Sequence, residues 1–258
     1  MPLALRDCTF AGPALPEPFV KFELERQLAK LSPLPKETGP ESRVLQDQWE
    51  INRRKLRALG ESGGDLRVLH HVIEPLAPML GYGAPQREEK VRTRERDEDG
   101  GWWMPTPDGK AGLRAWTVAL GTDLDAPHKR GYAYRFSHAR VAARVLLAKG
   151  ERAGLLTDGV ELRLLLCDPA RPDSHIAIAL DRASGWRGSR NTPDSLRLLI
   201  ALARPKGVAA LPEIIEAARL SQTTVTRKLR EQARNAVRDF VQGVLDEPAN
   251  AGKLDAPD

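Results

Sequence analysis

Phe136–Asp168, FSHARVAARVLLAKGERAGLLTDGVELRLLLCD, decides the fold. His138–Lys149 has the apolar rhythm of an amphipathic helix with a basic face. Ala153–Thr157 and Val160–Cys167 are apolar enough for buried strands. Asp158-Gly159 between them is a strong two-residue hairpin signal, because a tight primed turn needs backbone conformations that Gly adopts without steric cost. Helix, strand, turn and strand in that order predict an α+β domain.

Working outward, residues 1–18 carry four prolines and predict an irregular strap. Phe19–Leu31 and Arg43–Leu59 read as helices, divided by a polar linker. Gly60–Gly64 is a hinge, and a helix from Asp65 to Gly81 should kink or stop at Pro75 or Pro78. Lys90–Arg96 alternates as an edge strand would, Trp102–Pro105 and Leu113–Leu120 are strands, and Ile176–Leu180 adds another. The C-terminal region is helical over Asn191–Ala203, Leu211–Leu220 and Thr223–Leu245. The expected partition is 1–64 strap and helices, 65–186 α+β domain, 187–246 helical connector and 247–258 disordered tail.

A chain of 258 residues with 41% hydrophobic and 29% charged residues is an ordinary soluble composition. No apolar run spans a bilayer, so the expectation is a cytoplasmic protein without membrane contact. Cys8 and Cys167, far apart and without metal spacing, read as reduced thiols. The net charge of +5 is unevenly spread. Lys129–Arg152 holds seven Lys/Arg against one acid, and Arg182–Gln242 holds twelve against five. That bias favours a polyanion, with DNA the usual candidate. The competing reading is a solvated, arginine-rich surface.

Metal-dependent nuclease chemistry of the PD-(D/E)xK type needs converging carboxylates around a divalent cation, plus a lysine that assists the attacking water. Three fragments exist. Glu88-Glu89-Lys90 matches E-x-K but lacks an apolar strand. Glu161 and Arg163 share a strand face, although Arg substitutes poorly for a lysine that must lose a proton. Asp123 and Asp125 form an acidic loop. No catalytic set is favoured; the weak candidates are Asp123, Asp125 and Glu161, and Mg enters only if the nuclease alternative holds. Glu161 and Arg163 otherwise read as a charged pair at the solvent face. Adjacent His70 and His71 point about 100° apart on a helix and cannot share a metal. No P-loop, dinucleotide fingerprint or Asn-Pro-Pro-Tyr/Phe methyltransferase motif is found.

Leu211–Arg230 is open to two readings. One is a helix-turn-helix with its turn at Arg219–Ser221 and Gln222, Thr223, Thr224 and Arg227 facing the groove. The other is a connector helix with apolar positions at Val225, Leu229, Ala233, Val237 and Val241.

Gly154-Leu-Leu-Thr-Asp-Gly-Val-Glu-Leu-Arg163, together with Gly121-Thr-Asp-Leu-Asp-Ala-Pro127, Arg135-Phe-Ser-His138 and Gln222–Val237, carries a resemblance. It is similar to the N-terminal nuclease-like region of restriction–modification and phage-defence adenine-specific DNA methyltransferases (BREX- or DISARM-type, type IIG-like). That family usually reads Gly-Leu-Leu-Thr-Asn-Gly-x-Glu-Trp-Arg-Leu, so Asp158 and Leu162 depart from its pattern. The resemblance covers about Leu66–Asp246. It implies a degenerate PD-(D/E)xK-like mixed β-sheet with flanking helices, and favours the connector. It also implies DNA engagement or docking to other defence subunits, without catalysis of its own. DNA contact is expected from Arg135, Arg140, Arg144 and Lys149 on one helix, and from Arg227, Lys228, Arg230 and Arg234 on another.

Overall fold

The computed structural model describes residues 3–36, 38–60, 62–127, 136–168, 171–180 and 192–250. It is an α+β chain built on a mixed seven-stranded sheet. In chain order the strands are β1 (Cys8–Ala11), β2 (Gln86–Arg87), β3 (Val91–Arg92), β4 (Asp97–Glu98), β5 (Trp102–Pro105), β6 (Gly112–Thr117), β7 (Ala153–Thr157), β8 (Glu161–Asp168) and β9 (Arg171–Ala179). The large sheet runs β1-β9-β8-β7-β6-β5-β2, and β3-β4 form a separate pair. Every neighbour in the large sheet is antiparallel except β6 and β7.

That parallel pair is joined by α6 (His138–Lys149), because a parallel connection must return along the sheet and a helix covers the distance. Ser137 caps the helix, its hydroxyl accepting the Arg140 N–H at 3.2 Å, and left-handed Gly150 ends it. Val145 and Leu146 are fully buried against Trp116, Leu156, Leu165 and Cys167.

The β7–β8 hairpin forms at Asp158-Gly159, but its loop is Asp158–Val160, three residues rather than the expected two, and only Gly159 among them has a positive φ, so the turn is not of the primed type. Asp158 Oδ1 accepts the N–H groups of Val160 and Glu161 at 3.0 and 2.7 Å, and Gly159 has φ +85°. Pleating then sorts β8. Leu165 and Cys167 face α6, whereas Leu162 and Leu164 pair with Ile178 and Ile176 on the opposite face.

The opposite face is covered by α3 (Pro40–Leu59), α5 (Glu74–Leu80) and α7 (Asp194–Ala203). Trp49, Leu56, Val72, Leu76, Leu196 and Leu199 surround a void of about 30 Å³ over Leu162 and Ile178. Helix α4 (Asp65–Val68) passes into α5 through a π-turn, Leu69–Ile73. The expected kink at Pro75 becomes this wider turn: proline offers no N–H to the fourth residue back and crowds its carbonyl, and a widened turn relieves both. Left-handed Gly81 ends α5.

Four local expectations need correction. The proline-rich strap contains β1, a full edge strand paired with β9. Phe19–Leu31 breaks at Glu23 into α1 (Glu17–Phe22) and α2 (Leu24–Leu31). Lys90–Arg96 is strand only at Val91–Arg92. The two C-terminal helices are one, α8 (Pro205–Asp246).

Contacts group the chain into Met1–Glu216 and Ala217–Asp258. In the first unit the N-terminal helices and α7 share one core with the sheet. Ser32 donates its hydroxyl to Ala201 O at 2.6 Å, and Tyr82 donates to Ala203 O at 2.8 Å. The second unit is helix to Asp246. Among the described residues no helix is long and apolar enough to cross a membrane.

Candidate functional site

Three places test the chemistry expected from the sequence. The first is a cleft of about 600 Å³ at the carboxyl ends of the parallel strands β6 and β7, where open sheets commonly bind ligands. Trp116, Thr117 and Val118 line it, together with Asp65, Lys90, Asp97, Glu98 and Asp99. Three of its four carboxylates have an arginine: Asp97 with Arg92 (3.3 Å), Glu98 with Arg96 (3.1 Å) and Asp99 with Arg87 (2.8 Å). Strands β5 (WWMP) and β6 (GLRAWT) carry no carboxylate and no lysine. Their single charge, Arg114, is buried. It binds Glu151 at 2.7 Å, lies 3.6 Å from Glu88, and stacks over Trp103. Glu88-Glu89-Lys90 therefore spends its first carboxylate on a buried arginine, outside any strand.

The second place is Arg163. The solvent-face reading of Glu161 and Arg163 is wrong, because the Arg163 side chain is only 9% exposed. It lies on the α6 side of β8, where Asp125 accepts two parallel N–H bonds at 2.7 and 2.8 Å and Glu161 accepts a third. The structure thus brings together two of the three weak catalytic candidates, Asp125 and Glu161. Both carboxylates bind one guanidinium, that of Arg163. The bidentate hydrogen bond from Arg163 holds the Asp125 carboxyl below its usual range. Asp123 stays apart: its Oδ1 accepts the N–H groups of Asp125 and Ala126 and shapes the loop that delivers Asp125. His175, on β9, is held below the usual imidazole range first by burial and then by the Arg163 charge. Among the described residues, no group of three or more His, Cys, Asp or Glu is arranged to hold a metal. His70 and His71 are ring-to-edge, 84° apart, and bind Glu74 and the Lys55 carbonyl respectively.

The third is the basic surface. Arg135 lies outside the described residues. Arg140 is exposed and stacks over Phe136 at 4.6 Å. Arg144 is only 20% exposed, pairs with Glu95 at 2.9 Å and covers the same ring. Lys149 is exposed, but nine residues from Arg140 is about half a turn around the helix, so the two do not share a face. The basic face expected of α6 is therefore dispersed.

On the Ala217–Asp246 part of α8 the geometry differs. Arg227, Arg230 and Arg234 are exposed and fall within about 80° of arc, together with Arg238, which the sequence reading missed. Their spacing of three, four and four residues was the available signal. Lys228 points about 100° away from Arg227. Among the described residues no carboxylate lies within ion-pair distance of these four arginines. The helix-turn-helix reading fails on this segment, since Arg219–Ser221 is helical and makes no turn.

No family model, curated protein or solved structure matches the chain.

Proposed function

We propose that this chain is a DNA-engaging module without nuclease or methyltransferase chemistry of its own, built on a degenerate nuclease-like sheet. The reading rests on one observation: four exposed arginines, Arg227, Arg230, Arg234 and Arg238, in a single stripe about 16 Å long. Such a stripe can meet successive phosphates along a groove edge, and phosphate contact is read as charge rather than as sequence. Support for the non-catalytic half comes from the sites above. Asp97, Glu98 and Asp99 of the cleft are engaged by arginines, strands β5 and β6 carry no acid and no lysine, and Asp125 and Glu161 both bind Arg163. The expected context remains a restriction–modification or phage-defence assembly with DNA as partner.

The test is duplex binding by fluorescence anisotropy across a salt series. Affinity should fall with salt at a log–log slope of about 0.9 per phosphate contacted. Arg230→Ala and Arg234→Ala should each flatten that slope by about one contact. Absence of binding at low salt, or a slope unmoved by the double variant, refutes the DNA reading. Plasmid incubated with magnesium or manganese should stay intact. Cleavage abolished by Glu161→Ala would restore the nuclease reading.

A further inference from the structure

The same helix has a second face that DNA engagement does not use. Val225, Leu229, Ala233, Ala236, Phe240 and Val244 fall within about 100° of arc, centred roughly a third of a turn from the arginines. Leu229 is 59% exposed and Phe240 72%. Large apolar side chains in a continuous row at helical spacing ordinarily meet a partner helix.

We propose that a second copy of this chain covers the stripe, packed antiparallel. The order of residues is self-complementary about a two-fold axis between Arg234 and Asn235. Reversing the helix puts Leu229 opposite Phe240, Val225 opposite Val244, and Ala233 opposite Ala236. Bulky pairs then flank a centre of small residues that lets the backbones approach. Charge selects the same orientation. On the two sides of that axis, Thr223–Arg234 carries four Lys/Arg and one acid, whereas Asn235–Asp246 carries one Lys/Arg and two acids. Antiparallel packing lays the basic half along the acidic half, and parallel packing lays basic on basic. Lys228 and Asp239, eleven residues apart, share one edge of the stripe. The reversed register sets Lys228 about 3 Å along the axis from Asp239 of the second copy.

The contact strip, Val225 to Val244, is about 29 Å long and 10 Å wide. That is modest beside the roughly 800 Å² per partner of an ordinary stable interface, so a dimer of micromolar affinity is expected. Arg227, Arg234 and Arg238 stay outside the contact and Arg230 lies at its other edge, so dimerisation would give the pair two such stripes.

Sedimentation velocity of the full chain from about 1 to about 100 µM should show a monomer–dimer transition. Leu229→Asp with Phe240→Asp should stay monomeric throughout while keeping its thermal midpoint and its salt slope on DNA. Lys228→Glu should weaken the dimer, and adding Asp239→Lys should restore it. Orientation is read by mixing Val225→Cys chains with Val244→Cys chains under oxidation. Disulfides between the two kinds are expected, whereas Val225→Cys linked to itself would mean parallel packing and overturn the proposal. A wild type that remains monomeric at the highest concentration also overturns it. So does a monomer that binds anionic phospholipid vesicles through this face, which would make the occupant a lipid surface.

Discussion

Replacing Asp125 by Asn tests whether the Arg163 cluster is a structural ion pair or a vacated metal site. The substitution keeps the size of the side chain but removes its charge and turns one acceptor into a donor facing the guanidinium. Removing one partner of a fully buried pair costs about 3–5 kcal/mol. Here Arg163 is 9% exposed but Asp125 is 65% exposed, so water reaches the pair, and screening reduces the cost to about 1–2 kcal/mol. For a folded unit of this size that lowers Tm by about 2–8 °C. The effect has a definite pH dependence. Asp125 titrates lower in the fold than in the unfolded chain, because it accepts hydrogen bonds from Arg163. Its stabilisation is complete above the unfolded value near 3.9 and is lost as pH falls through the lower folded value. Thermal unfolding of wild type and Asp125→Asn should differ at pH 7 and converge in strong acid. Equal Tm values at pH 7, or a gap that widens on acidification, would refute the ion-pair argument. So would magnesium that stabilises the wild type alone, because the carboxylate would then hold a metal.

Two more predictions follow from the same core. Gly159→Ala should cost about 2 kcal/mol or more in urea denaturation, since φ is +85° and a Cβ would lie 2.8 Å from both Leu59 and Leu120 side chains. His175 titrates below its usual 6.5 in the fold because it is buried beside Arg163, so between those two values the unfolded chain binds more protons than the folded one. Stability should therefore fall as pH drops below about 6.5, and His175→Gln should flatten that slope; an unchanged slope in the variant would exclude His175 as its source.

The legible parts of the sequence were those whose signals are local. Helix α6 lies between a serine cap and a glycine stop, and the β7–β8 turn carries Asp-Gly, so both stood where the sequence placed them. The missed elements depend on distant partners. Cys8–Ala11 is a short run among prolines, and it is a strand because β9 lies more than 160 residues away to receive it. Arg163 sits among apolar neighbours on β8, and its burial depends on Asp125, 38 residues earlier. The C-terminal helix misled for a different reason. Ser221 looks like the cap of a new helix. However, Thr223, Thr224 and Thr226 donate their hydroxyls to the carbonyls of Arg219, Leu220 and Gln222, four residues back, and the helix runs on. The arginine stripe was visible in part, because three of its four members were named without the angular count that adds Arg238 and removes Lys228.

The pairing of β1 with β9 has a consequence for how the chain folds. Cys8–Ala11 must wait for residues near 175 before its hydrogen bonds have anywhere to go. Once there, the strand is fixed at several points. Gly12 lies so close to Ser174 that a Cβ would collide with it, Ala14 N–H binds the Ser174 hydroxyl at 3.2 Å, and Ser195 donates to Asp7. Closing a loop of this length early is entropically unfavourable, so β1 should dock late, after the hairpin and α6 have assembled from nearby contacts. Until it does, β9 presents an unpaired edge able to capture a strand from another molecule. Shortening or tagging the first dozen residues would prolong that interval, and refolding yield should fall with chain concentration even where the finished protein is equally stable.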